Sequence, residues 1–330
     1  MRTPSVVRAA VASLAVVLAL SSCSDDAQLS TTLDSIGTQF DVAVGQAGFN
    51  TTEVRAMGSL ASRMDAAFIA SGGAALRVSG TRADLLPLLA WGKTFVWDEA
   101  TVRYITSDRT GAPSNGSRFI IYSVAGAATR PSIPLVERGY VEITRAGNTA
   151  TVVVVPTGGT EVMRYSLTTG GTASSPTFLV DGSAGSGSTL TTFDLAVVRS
   201  MSNGTATQTW QTATPSRGVA TLVQRAEGIS STTIGASMRS GVRKMEIAGA
   251  LGATGAGALA VKVGGALYGR VLLSGSPSNT RTVSNPLGAP LGAAETTAIA
   301  STYGWFASSY DMLDMFLRPL HTVLDLDPPA

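Results

Sequence analysis

From Lys93 onward, apolar and polar positions alternate in short runs. Phe193, Leu195 and Val197 fall on one side of such a run, with Thr192 and Asp194 on the other. Met163, Tyr165 and Leu167 oppose Arg164 and Ser166 in the same way. A period of two is that of a strand with one face buried and one wet, as in an antiparallel meander. Similar runs recur from "KTFVWDEATVRYIT" to "LYGRVLLSG", rich in β-branched and aromatic residues and broken by Gly, Pro and Asn-Gly. About a dozen strands are more than one flat sheet holds comfortably. The pattern therefore predicts a mainly β protein of α+β type, its meander forming a curved sheet, a half-barrel or a barrel, or else a sandwich. No fixed-period repeat points to a propeller or solenoid.

On either side of this region the period changes. Val54, Met57, Leu60, Met64 and Phe68 make one apolar helix face, with Asn50 and Glu53 placed as a cap and Gly72-Gly73 as a stop. Leu33, Ile36, Phe40 and Val44 have helical spacing too, weakened by Gly37 and Gly45. After "SNPLGAPLG", the residues Ile299, Tyr303, Phe306, Tyr310, Leu313 and Phe316 form a second amphipathic helix, interrupted near Pro319 and expected to pack on the sheet. Its Asp311 and Asp314 do not suit an anionic membrane surface. The organisation expected is a signal peptide over 1–22, a tether over 23–30 and a helical segment over 31–90. An antiparallel β domain over 91–285 and a C-terminal helix over 286–330 complete it.

The N-terminus explains the single cysteine. Arg2 and Arg8 precede the run Ala9–Leu20, in which Ser13 is the one polar residue. That is the order of a secretory signal, too short to span a bilayer. Leu20-Ser21-Ser22-Cys23 then resembles the lipobox of bacterial lipoproteins, in which an aliphatic and two small residues precede the cysteine. The resemblance covers about the first 25 residues. It implies a diacylglyceryl group on the Cys23 sulfur, cleavage before Cys23, acylation (palmitate) of the new amino group, and a body held at the cell envelope outside the cytoplasm. Each buried methylene of such chains contributes ~0.8 kcal/mol, so two or three chains anchor stably. In Gram-negative members the residue after the cysteine influences sorting, and Ser24 favours the outer membrane if the cell has one.

Charge narrows the partners. Arg2 and Arg8 belong to the signal segment, and the remaining 22 basic residues balance 22 acidic ones. No lysine- or arginine-rich run is present, so a nucleic-acid partner lacks its electrostatic footprint. With Cys23 acylated no thiol remains for a disulfide, a nucleophile or a thiolate metal site. Charged residues make up only 14% of the chain, and burial alone must hold the fold.

The usual catalytic constellations are missing. His321, in "RPLHTVLDLD", is the one histidine and reads as structural or surface. A zinc site of ordinary ligands cannot be built from it. Neither G-x-S-x-G nor S-x-x-K occurs, the three lysines being Lys93, Lys244 and Lys262. Asp98 and Glu99 would point to opposite faces of a strand. Asp181 and Asp194 could meet across a hairpin as a glycosidase-like pair or a calcium site. "DGSAGSGS" lacks the lysine and helix of a phosphate loop, and "GALGATGAGALAVKVGG" reads as a hairpin better than as a dinucleotide turn. Asn115-Gly116 and Asn203-Gly204 are expected to be hairpin turns with positive φ. No cofactor, metal or catalytic residue is expected. The function expected is non-catalytic: an envelope lipoprotein that binds or carries a hydrophobic ligand or lipid, with Phe119, Ile121, Phe193 and Trp210 lining the concavity. The alternative is a surface-anchored structural module that pairs with an envelope protein, and a carboxylate-dependent hydrolase comes third.

Overall fold

The computed structural model describes residues 49, 51–70, 88–300 (apart from 127, 173, 279 and 298) and 303. Cys23 and its lipobox, the 33–44 pattern, Gly72-Gly73, most of the C-terminal helix and His321 lie outside the described residues.

Helix α1 (Thr52–Ala70) opens the described chain. Thr51 Oγ1 accepts the Val54 backbone N–H at 3.3 Å, as a cap does, while Asn50 lies outside the described residues. A threonine at that position reaches the first free N–H groups, which are otherwise unsatisfied. Val54, Met57, Leu60 and Met64 are fully buried on one face, as their spacing requires.

Fifteen strands follow: β1 (Lys93–Asp98), β2 (Arg103–Ser107), β3 (Gly116–Tyr122), β4 (Glu137–Ala146), β5 (Thr149–Pro156), β6 (Met163–Thr172), β7 (Ser175–Ala184) and β8 (Thr191–Ser200). The series continues with β9 (Thr205–Thr214), β10 (Val219–Glu227), β11 (Ser231–Ser240), β12 (Arg243–Gly252), β13 (Gly257–Val263), β14 (Ala266–Leu273) and β15 (Arg281–Ser284). They form one sheet in the order β15 to β3 by sequence, then β1 and β2. Every neighbour pair from β3 to β15 is antiparallel.

Two features depart from a pure antiparallel barrel. The chain leaves β2 and returns beside β1, so β1 pairs parallel with β3 while β2 is left at the edge. Phe95 and Phe119, partners in that register, stack with ring centroids 4.6 Å apart. The sheet also does not close: β2 and β15 are its two ends. Ser284 of β15 bridges instead to Pro290 of its own returning chain, which occupies that edge.

One face of the sheet is core across its width. Phe119, Val141, Val152, Tyr165, Leu195, Trp210, Val223, Met238, Ile247, Leu259 and Val271 are all buried on it. Helix α1 packs over β2 to β5. Some polar groups on this side are paired locally: Tyr104 donates to the Ile120 carbonyl at 2.8 Å, and the Thr191 and Thr214 hydroxyls pair at 3.0 Å. The opposite face is wet, but unevenly so. The cross-strand row Thr177, Val198, Thr207, Ala226, Thr233, Ala250, Ala258, Leu272 and Thr282 runs from β7 to β15 without a charge.

Candidate functional site

The carboxylates singled out by sequence come first. Asp181 and Asp194 are direct register partners on β7 and β8, both exposed on the wet face. The Ser166 hydroxyl donates to Asp181 from the next strand. No group of three or more His, Cys, Asp or Glu side chains converges among the described residues. Like charges directly opposed across a strand pair are destabilising. Asp98 closes β1: its carboxylate accepts the Thr101 N–H at 3.1 Å and the Thr101 hydroxyl, which holds it below the usual carboxylate range. Glu99 lies in the turn that follows, exposed.

The glycine-rich segments are turns. "DGSAGSGS" spans the end of β7 and a short 3₁₀ turn, with Gly185 and Gly187 at positive φ. Asn203-Gly204 is a turn in which Gly204 alone takes positive φ (61°). Asn115-Gly116 departs from expectation. Gly116 opens β3, and a Cβ there would meet the Ile143 carbonyl oxygen at 2.2 Å. Close approach to β4, not a left-handed turn, demands that glycine.

The aromatic and aliphatic residues expected to line a concavity are core. Phe119 and Ile121 are fully buried, and Phe193 and Trp210 nearly so. Phe193 packs between Phe49, Tyr165 and Trp210, with centroids at 5.5, 6.2 and 5.6 Å.

A cavity of about 510 Å³ lies instead where β10, β11 and β12 end. Its apolar lining includes Val223, Ile234, Leu251 and Tyr303. Register explains why they meet. On the core face Val223 pairs with Ala236, Arg225 with Ile234, Glu227 with Thr232, and Thr232 with Leu251. The lining is therefore mixed along the strands: Val223 is innermost, Arg225 lies level with Ile234, and Thr232 lies level with Leu251 at the strand ends. The β12–β13 turn contributes Gly252, Ala253 and Gly255, so the segment that imitates a dinucleotide loop forms a wall. Ile229, in the β10–β11 turn, is 85% exposed at this rim.

Arg225 is the one charged side chain in that lining among the described residues. Its Nη2 contacts Glu227 two residues on, on the same face of β10, and both side chains are about a third exposed. Nearby, Arg281 lies over the Tyr303 ring at 5.3 Å. Arg199 lies over Phe178 at 5.9 Å, on the core face at the same end of the sheet. Arg225 has a sequence signature after all. In "GVATLVQRAEG" it continues the in-facing series Val219, Thr221, Val223, where another apolar residue would be expected.

Against protein-family models, curated proteins and solved structures, the chain matches none.

Proposed function

We propose that this protein is a cell-envelope lipoprotein, anchored through acylated Cys23, whose sheet acts as a half-barrel that binds an amphipathic lipid or other hydrophobic small molecule. The cavity of about 510 Å³ beside β10–β12 carries this reading. Small-molecule sites are typically clefts of ~300–1,000 Å³, largely apolar with a few placed polar groups. The lipobox residues Leu20 to Cys23 support the anchor.

The test uses the processed chain, residues 23–330, carrying Cys23→Ser so that no acyl group of its own is added. Masses are compared under native and denaturing conditions, after gentle purification and again after incubation with envelope lipid extract. Excess mass that dissociates as an apolar molecule is expected, and Ile234→Trp should lower its occupancy by filling the cleft. A bare mass in both preparations overturns the carrier reading.

A specific observation favours a second reading, that of a surface-held interaction module. The uncharged row from Thr177 to Thr282 crosses nine strands of the exposed face and includes the exposed side chains of Val198 and Leu272. Charges elsewhere on a sheet discourage face and edge association. Chemical cross-linking on intact cells, with the same chain bearing Ala226→Lys and Ala250→Lys, tests it: loss of a specific cross-linked species is expected only if this face docks a partner.

A further inference from the structure

Resting on the carrier reading, we infer that the end of the sheet reached by the β10–β12 cleft docks on a lipid surface without net charge, through Met201 and Ile229. Neighbouring strands from β6 to β15 are antiparallel, so successive turns alternate between the two ends of the sheet. The turns 173–174, 201–204, 228–230, 253–256 and 274–280 therefore share one end. Gly228, Ile229, Ala253 and Gly255 from this set line the cleft, which thus extends to that end. An apolar ligand moves between bilayer and cleft without crossing water only if this end meets the lipid.

Chemistry sets this end apart. None of those five turns holds a charged residue. Met201 is 68% exposed, and Ile229 stands out further still. At the opposite end the turns include Glu161 and Arg217, and the exposed Val242 is flanked by Arg239 and Lys244. Just inside the uncharged turns the charged side chains are engaged. Arg225 meets Glu227, Arg199 lies over Phe178, and Arg281 lies over Tyr303. Exposed apolar groups gathered at one place mark contact with a protein or a membrane.

Backbone pairing suits the tips to lipid. A polar group that leaves water is costly unless it already has a partner. The Met201 N–H donates to the Ser174 carbonyl at 3.0 Å and the Ser276 N–H to the Thr254 carbonyl at 2.8 Å, each bond joining two turns. The Gly228 and Gly252 N–H groups donate across their own hairpins to the Ser231 and Ala256 carbonyls, both at 2.8 Å. Between 201–204 and 228–230 the approach is apolar: a Cβ on Gly204 would sit 3.5 Å from Ile229 Cγ1. The turns thus form a joined rim of small residues from which two long apolar side chains project. Protein partners are gripped chiefly through Trp, Tyr and Arg, and these turns contain none. A fluid lipid surface requires only apolar area.

The test floats residues 23–330 carrying Cys23→Ser, which adds no acyl chain of its own, with phosphatidylcholine vesicles. Association is expected. Met201→Asp combined with Ile229→Asp should weaken it at least about 10-fold, because two large apolar side chains no longer enter the interface. Val242→Asp, a change at an exposed turn of the opposite end, should leave it unaltered. Failure to float, an equal loss with Val242→Asp, or a requirement for phosphatidylglycerol in the vesicles overturns the inference and leaves the carrier reading standing. A double variant that loses a cross-linked partner on intact cells, in a chain that ignores vesicles, assigns this end to a protein and overturns it too. The carrier reading has its own readout, the native mass: a bare mass with vesicle association intact removes the cargo and keeps the docking rim.

Discussion

Gly182 on β7 shows how closely this core is set. A Cβ at that position would lie 2.5 Å from the Arg164 carbonyl oxygen, 2.5 Å from Tyr165 Cβ and 2.8 Å from Phe193 Cζ. Two of those neighbours are ring-bearing side chains that are almost fully buried. Gly182→Ala is therefore expected to cost about 1–3 kcal/mol, the usual penalty of overpacking, measurable as a lowered urea midpoint. A second expectation concerns base. Burial raises the Tyr165 phenol far above its ordinary value, and Tyr104, buried with its hydroxyl on the Ile120 carbonyl, is raised likewise. The unfolded chain releases those protons near pH 10 while the folded one keeps them. Stability is then fully present below about pH 10 and falls above it, by about 1.4 kcal/mol per pH unit for each tyrosine. Denaturant titrations from pH 9 to 11.5 should show that slope, and Tyr165→Phe should reduce it by about half.

At the scale of elements, helix α1 carries a clear test. Leu60 is wholly buried against a helix face that packs over β2 to β5. Leu60→Ala should destabilise by about 2–5 kcal/mol through lost burial and a residual cavity, read from the shift in thermal or urea midpoint. The face of this helix was legible from Val54, Met57, Leu60 and Met64 alone, because an apolar stripe three or four residues apart leaves little alternative. Strands were legible for the same kind of reason. Phe193, Leu195 and Val197 alternate with polar residues, and their burial follows that alternation. Pairing was harder. Nothing in "KTFVWD" or "GSRFIIY" says that they lie parallel, since strand polarity depends on where the chain returns after β2. The capping hydrogen bond from Thr51 was not singled out in sequence because Thr51 and Asn50 are both capable cap residues.

At the scale of the molecule, alternation marked which residues face inward but not which of them meet a void. Phe119, Ile121, Phe193 and Trp210 share the in-facing pattern with Val223 and Ile234, yet the first four are close-packed core and the last two line the cleft. That difference arises from register across β10, β11 and β12 and from Tyr303, eighty residues downstream of Val223 in the chain, which sequence spacing does not encode. The one departure from pattern that marked the cleft was chemical: an arginine, Arg225, in a series otherwise made for the interior.

The strand order has a consequence for assembly. From β4 to β15 each strand pairs only with its immediate neighbours in sequence. Contacts of that kind are separated by little more than a hairpin, so each closes a short loop and incurs a small entropic cost. The chain can therefore zip in the direction in which it is delivered, each strand templating the next as soon as it emerges. Only β1 must wait, pairing at once with β2 and completing its other edge when β3 arrives. The cleft at β10–β12 forms late in that order, and Tyr303 later still, so the cavity exists only once nearly the whole sheet has been laid down.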